Sequence, residues 1–390
     1  MVKVLIVGYL PPDLTKVNGG VIAVILNLLA GLSKIENIEI LFVSFNMELD
    51  KENRQQFASN ITIHYLPFKF KLRLIDYFFN TSSLDNILTQ FKPHIIHIQD
   101  ITPQILRFLR FSKENIILTQ HGVSKEECKY AIGIKDKIKS VFKGYVEEKS
   151  FSIFKNAIFI SEYSKKLFPY QKINYSKIYN PVNPIFFQNR MNKSKVNSII
   201  YVGRLNKNKN LRLVIEALGN LKREQIEFEL HVIGGYMDNY YENVIEDLIE
   251  SNSLRNQVRF YGWLTQEQIL DVHTKCQIFV LPSQQEMLPV SLAEAMSLGQ
   301  VVVASNVGGI SEMYEDKVSG FLFERNNVKE LCDILRLLYM NDKLANEISR
   351  NAYQEARQKF HPDLVAHQTL EFYKKVMDHS YSIINKIDGN

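Results

Sequence analysis

Cysteine is scarce: three in 390 residues, Cys128, Cys276 and Cys332, odd in number and far apart. That usage speaks against a disulfide framework or a clustered thiolate metal site, and it fits a reducing cytoplasm. No run approaches the roughly 18–20 apolar residues that a membrane span requires. The start, Met1-Val-Lys-Val-Leu-Ile-Val-Gly8, lacks the separate basic region, apolar stretch and cleavage site of a signal peptide, and reads as a first strand. Internal repeats and low-complexity tracts are absent. Charge of one sign is also in short supply. A net +5 is too weak for a dedicated nucleic-acid binder, so nucleic acid is not an expected partner.

What is present points to a large α/β protein. Hydrophobic residues make up 46%, enough for a substantial core, and the length suits two domains. Apolar runs predict strands at Val2–Val7, Ile38–Ser44, Ile61–Leu66, His94–Ile98, Ile116–Thr119 and Ala157–Ile160, with a buried helix at Gly20–Leu32. Strands alternating with helices imply βαβ crossovers and a mostly parallel sheet. Prolines 181 and 184 and the polar stretch Gln188 to Asn197 read as a linker. The alternation then restarts at Ser198–Gly203, with further strands at Phe228–Ile233, Val258–Tyr261, Ile278–Leu281, Val301–Ala304 and Phe321–Phe323. The expectation is two Rossmann-like doubly wound parallel-sheet domains, 1–185 and 195–360, facing a cleft, with a tail in 361–390 that is helical over Pro362–Met377.

The densest chemical signal is Pro282-Ser-Gln-Gln-Glu-Met-Leu-Pro-Val-Ser-Leu-Ala-Glu-Ala-Met-Ser-Leu-Gly299. It follows a strand and opens a helix, with Pro289 expected at the first helical position and Gly299 as the stop. Free N–H groups at such a start favour an anion. Glu286 precedes that anion site on a loop, where the plain reading is a solvated carboxylate. Glu294 lies inside the helix, either as a partner of its dipole or as an acceptor for ribose hydroxyls. Arg204 and Lys209, in Gly203-Arg-Leu-Asn-Lys-Asn-Lys-Asn210, leave the carboxyl end of the restarting strand. There a guanidinium and an ammonium can grip a diphosphate, with Lys207 the alternative to Lys209. Two cations, a helix start and two acids together suggest a phosphorylated sugar held for chemistry.

Weaker signals accompany it. Gly19-Gly20 precedes a helix and permits close approach of backbone to phosphate, though such a pair is often only a turn. His121-Gly122 sits at a strand's carboxyl end. His94 and His97 fall in a buried strand pattern and are assigned to packing, while Gly308-Gly309 and Glu312 are possible pocket walls. Trp263 and Tyr236 are alternatives for bordering a nucleobase. Lys69, Lys71 and Arg73 lie among large apolar groups in 66–79, and Lys125 to Lys149 adds Lys129, Lys135, Lys137, Lys139 and Lys143. Basic residues mixed with aromatics suit an anionic membrane surface, against the plainer reading of a strand edge and a solvated helix face.

In order and spacing, Glu286 and Glu294, Gly203-Arg204-Leu205 with Lys209, Gly308-Gly309 with Glu312, Gly19-Gly20, His121-Gly122, Ser161-Glu162-Tyr163-Ser164 and Asn180-Pro181-Val182-Asn183 are shared with a known family. The chain resembles the GT-B fold retaining glycosyltransferases of glycosyltransferase family 4 (glycosyl transferases group 1) over nearly its whole length. The resemblance implies transfer of a sugar from a nucleotide-diphosphate sugar, without a cofactor or bound metal. It implies that Arg204 and Lys209 hold the diphosphate with Gly19 and Gly20 beside it. Met287, Leu288, Pro289 and Val290 would line the donor, and Glu294 would hold the ribose. Glu286 would contact the donor sugar near its reacting carbon, His121 a sugar hydroxyl, and the C-terminal helix would return to the first, acceptor-binding domain. Met287 stands where the family usually has glycine, which bears on which sugar is accepted.

The expected acceptor is a carbohydrate or a polyprenyl-diphosphate-linked saccharide, in bacterial surface polysaccharide assembly. The expected location is the cytoplasm, with peripheral contact on the inner face of the plasma membrane. A soluble small-molecule acceptor and a catalytically silent nucleotide-sugar-binding subunit are the alternatives.

Overall fold

The structure, a computed structural model, describes residues 1–15, 19–68, 82–100, 105, 108, 115–130, 134–169, 173–188 and 197–387. Lys69, Lys71, Arg73 and most of the linker stretch lie outside the described residues. The chain divides into two compact units, Met1–Asn180 with Pro362–Asn390, and Pro181–His361.

In the first unit the strands are β1 (Val2–Gly8), β2 (Ile38–Asn46), β3 (Asn53–Ala58), β4 (Ile61–Pro67), β5 (Ile95–Gln99), β6 (Ile116–Gln120), β7 (Asn156–Phe159) and β8 (Asn174–Lys177). They form one sheet in the order β3-β4-β2-β1-β5-β6-β7-β8. Every pairing is parallel except β3 with β4. Parallel strands are covered on both faces, so the central ones read as unbroken apolar runs. Val4 to Val7 of β1 are buried accordingly. β3 and β8 were not predicted from the sequence. Asn-Arg-Gln-Gln-Phe-Ala and Asn-Tyr-Ser-Lys have no apolar alternation to detect, because both are edge strands, where polar residues deter pairing with other chains.

The helix Gly20–Leu32 packs on the helix Pro362–Ile387, which runs ten residues beyond the predicted end. A Cβ at Gly31 would strike the Pro362 carbonyl, so close approach of the two helices depends on that glycine. Lys34 pairs with Asp363 at 2.7 Å. The Tyr373 hydroxyl lies 2.6 Å from Nδ1 of buried His97, whose Nε2 is 2.7 Å from Thr119 Oγ1. His97 is therefore a structural histidine, as expected. His94 is not buried in the strand as predicted: it is exposed ahead of β5, where its Nδ1 accepts the Lys3 N–H at 2.9 Å.

In the second unit β9 (Ser198–Val202), β10 (Glu229–Ile233), β11 (Val258–Phe260), β12 (Ile278–Leu281), β13 (Val301–Ser305) and β14 (Phe321–Phe323) form an all-parallel sheet in the order β11-β10-β9-β12-β13-β14. The helix Leu211–Arg223 buries Leu211, Val214, Leu218 and Leu221 in its core and turns Arg212 and Lys222 outward, the helical repeat of apolar positions that the sequence displays. Truncating one such leucine to alanine costs about 2–5 kcal/mol.

Candidate active site

Each sheet reverses its strand order once, at β1/β5 in the first unit and at β9/β12 in the second. Loops leaving the carboxyl ends of strands diverge at such a switch point and leave room for a ligand. Arg204 follows β9 directly, and Glu286 follows β12, so the second-unit candidates converge on its switch point. The Gln284 N–H donates to the Asn208 carbonyl at 2.7 Å, which ties the two loops together, and within the first loop the Lys209 N–H donates to Asn206 Oδ1 at 2.9 Å.

Glu286 is not a solvated loop acid. It is 8% exposed. Its Oε1 accepts the Lys209 ammonium at 2.5 Å and the Ser283 hydroxyl at 2.6 Å. The Gly309 N–H donates to its carbonyl at 3.2 Å. Gly308 holds φ +57, and a Cβ there would overlap that same carbonyl oxygen. The Gly308-Gly309 pair thus fixes the backbone of Glu286, and Ser305 Oγ secures the Ser283 carbonyl at 2.5 Å. Ser283 and Ser305 were missed in the sequence. Ser283 leaves a faint signal, a serine three residues before the acid.

Pro289 is the N-cap of the helix Val290–Ser297, with extended ψ of 120°, rather than its first helical residue. Its carbonyl accepts the Ala293 N–H at 3.3 Å, the first intrahelical bond, as an N-cap carbonyl does. The first turn has no acidic residue and no side-chain cap, so its N–H groups keep their anion preference. Met287, Leu288 and Pro289 are buried, Val290 is half-buried, and Gly299 ends the helix at φ +71. Glu294 is 7% exposed, its carboxyl makes no hydrogen bond or ion pair among the described residues, and burial pushes its pKa up to about 8. The Arg204 guanidinium is exposed and likewise unpaired among them.

Tyr236 follows β10 beside the Arg204 loop, since the Leu205 N–H donates to the Gly235 carbonyl at 2.9 Å. Trp263 is exposed and covers Gly235, where a Cβ would strike its ring. Glu312 is half-buried in the turn Ile310–Glu312 after the glycine pair.

In the first unit a cavity of about 200 Å³ opens at the β1/β5 switch point, lined by Gly8, Tyr9, Val21, Ile22, Gln99 and Asp100 among others. Gly19 has φ +126 and caps the helix Gly20–Leu32, whose first turn also lacks acids and a side-chain cap. His121, after β6, bonds the cavity-lining Gln99 at 2.8 Å from its Nε2. Burial holds its pKa down to about 4, so the ring is neutral at pH 7 and acts as a hydrogen-bonding group. Asp100 has φ +67, an Oδ1 with no hydrogen-bond partner among the described residues, and Lys143 at 3.8 Å from Oδ2. Neither Gln99 nor Asp100 was singled out in the sequence. Ser161 caps the helix Glu162–Lys166 through a reciprocal capping box with Ser164, so that part of the shared pattern is structural.

Two family models match in tandem: Glycosyltransferase Family 4 over residues 18–184 and Glycosyl transferases group 1 over residues 183–355. An uncharacterized glycosyltransferase of Methanocaldococcus jannaschii is 27% identical over 366 residues, 92% of this chain and 95% of that protein. The N,N'-diacetylbacillosaminyl-diphospho-undecaprenol alpha-1,3-N-acetylgalactosaminyltransferase of Campylobacter jejuni is 33% identical over a shorter stretch, 28% of this chain and 29% of that one. Among solved structures, a sucrose-phosphate synthase from Thermosynechococcus elongatus superposes with a TM-score of 0.80 at 14% identity, covering 97% of this chain and all of that one. Anabaena HepE in complex with UDP-glucose gives 0.71 at 16% identity, covering 96% of this chain and 100% of that one. At such identities the structures speak for the fold, which is GT-B, while the family models speak for the chemistry. The chain is a glycosyltransferase and belongs to glycosyltransferase family 4, the glycosyl transferases group 1.

Proposed function

We propose that the protein moves a sugar from a nucleotide-diphosphate donor to a carbohydrate or lipid-linked acceptor, with retention of anomeric configuration and without a metal. The observation that carries this reading is the β9/β12 switch point. It presents a guanidinium at Arg204 that is unpaired among the described residues, the Lys209–Glu286 pair and an uncapped helix start at Val290 on two adjoining loops. Departure of a nucleoside diphosphate builds negative charge on phosphate, and such preorganised positive groups stabilise it. Lys209 trades Glu286 for a phosphate oxygen when the donor arrives, freeing the carboxylate for the donor sugar beside its reacting carbon. Glu294, its carboxyl buried without a partner among the described residues, accepts the ribose hydroxyls. Gly19, Gly20 and His121 serve the first unit's side of the reaction, with its switch-point cavity taking the acceptor.

The Anabaena structure, solved with UDP-glucose, favours a nucleotide-sugar donor, and the Campylobacter enzyme's name favours a lipid-linked acceptor in surface polysaccharide assembly. A thermal-shift panel of UDP, GDP, ADP and their common sugars tests the donor site. A ligand at 100 times its Kd stabilises by about 2.7 kcal/mol, and Arg204→Ala with Lys209→Ala should abolish the response. A panel that leaves the parent unmoved would refute the reading.

A further inference from the structure

The helix Ile134–Ile153 of the first unit carries a feature that the donor chemistry leaves unexplained. Its inner face is anchored: Val146, Glu147, Ser150 and Phe151 are buried. Glu147 Oε2 accepts the Ser124 N–H at 3.1 Å, and its Oε1 accepts the Ser124 hydroxyl at 2.6 Å. The opposite face should then be polar. Instead Ile138, Val141, Phe142 and Tyr145 are 65%, 65%, 44% and 58% exposed. Their positions follow the i, i+3, i+4, i+7 spacing of one continuous helical stripe. Scattered exposed apolar residues need no explanation, but four large ones in a row on one helix do.

The charges beside the stripe identify its partner. From residue 137 to 149 the exposed charged residues are Lys137, Lys139, Lys149 and the single acid Glu148. The Lys149 ammonium lies 5.6 Å over the Tyr145 ring. Pairing this stripe with a second copy about a two-fold axis would set these cations against one another. An anionic lipid surface complements them while the apolar groups enter the acyl boundary. We propose that the outer face of this helix, Ile138, Val141, Phe142 and Tyr145 flanked by Lys137, Lys139 and Lys149, docks the protein on an anionic bilayer. The docking is independent of the donor-site reading, because it needs neither nucleotide nor transfer.

The test is co-sedimentation of the full chain with vesicles of phosphatidylcholine alone and with roughly one quarter phosphatidylglycerol, at about 0.05 M and 0.5 M salt. The parent should partition to the anionic vesicles, more strongly at low salt. Ile138→Ser with Val141→Ser and Phe142→Ser should lower the partition coefficient by roughly tenfold or more while the melting temperature is kept, since these side chains touch mainly solvent. Lys137→Ala with Lys139→Ala and Lys149→Ala should erase the preference for anionic over neutral vesicles. A parent that stays in solution with both vesicle types, or a serine triple that partitions like the parent, overturns the proposal. So does concentration-dependent self-association that the serine triple abolishes in the absence of lipid binding, which would give the stripe to a second copy.

Discussion

Replacing Glu294 by glutamine gives a quantitative handle on the donor site. The carboxyl is buried without a hydrogen bond or counter-charge among the described residues, and burial lifts its pKa from 4.5 to about 8. At about 1.4 kcal/mol per pH unit, this is a penalty on the order of 5 kcal/mol on the charged form in the ligand-free protein. Near pH 7 the side chain is therefore about nine-tenths protonated. A ribose diol donating two hydrogen bonds favours the carboxylate, so nucleotide binding at pH 7 should expel close to one proton, and affinity should rise with pH up to about 8. Calorimetric titration of the preferred nucleoside diphosphate in buffers of different ionisation enthalpy measures that proton. Glu294→Gln should remove the buffer dependence and, at pH 8 and above, weaken binding by about 2 kcal/mol, because a neutral amide replaces a charged acceptor. A 2′,3′-dideoxy analogue should bind the parent without proton release. Binding enthalpies identical in all buffers, or an unchanged affinity in Glu294→Gln, would refute the assignment of Glu294 to the ribose.

Three further outcomes are expected. Gly308→Ala drives a Cβ into the Glu286 carbonyl from a left-handed φ, so it should destabilise the protein by about 1–3 kcal/mol in urea unfolding and depress transfer by displacing Glu286. Tyr373→Phe deprives buried His97 of a partner and should cost about 1–3 kcal/mol, read as an earlier unfolding of the first unit. Burial also raises Glu147 to about 7 alongside Glu294 at about 8. From about pH 7 to 8 the folded protein therefore holds more protons than the unfolded chain, and ligand-free stability should fall as pH rises. His97 and His121, held down to about 3 and about 4, and His64 and His231, also lowered by burial, are partly charged only in the unfolded chain near the ordinary value of 6.5, so they oppose the trend below about pH 7. The Glu147→Gln, Glu294→Gln double variant should flatten the slope; a stability that rises with pH would contradict it.

The fold was legible because parallel strands buried on both faces write themselves as apolar runs, as in Val301–Ser305. Its edges were not, since Asn53–Ala58 and Asn174–Lys177 carry ladder hydrogen bonds without an apolar run or alternation. At the candidate site the residues could be named from the sequence, but their partnerships could not. Lys209 and Glu286 are 77 positions apart and meet because β9 and β12 are neighbours. Glu286 reads as a surface acid until Ser283, Lys209 and the backbone at Gly309 close around it. The helix start was placed one residue early, because a proline whose φ suits a first turn serves equally well as the cap when its ψ is extended. The apolar stripe at Ile138 to Tyr145 was hidden for the opposite reason: a sequence shows which residues are apolar, and only the packing shows which of them were left uncovered.

The central claim is that Glu286 acts on the donor sugar while Arg204 and Lys209 hold its diphosphate. The direct measurement is release of nucleoside diphosphate from the preferred nucleotide sugar, to water or to a saccharide acceptor, by the parent and by Glu286→Gln. Glutamine keeps an oxygen for Lys209 and Ser283, so nucleotide affinity should stay within roughly threefold while turnover falls by about 2.7 kcal/mol in barrier, roughly a hundredfold, or more. Turnover equal to the parent's would contradict the account.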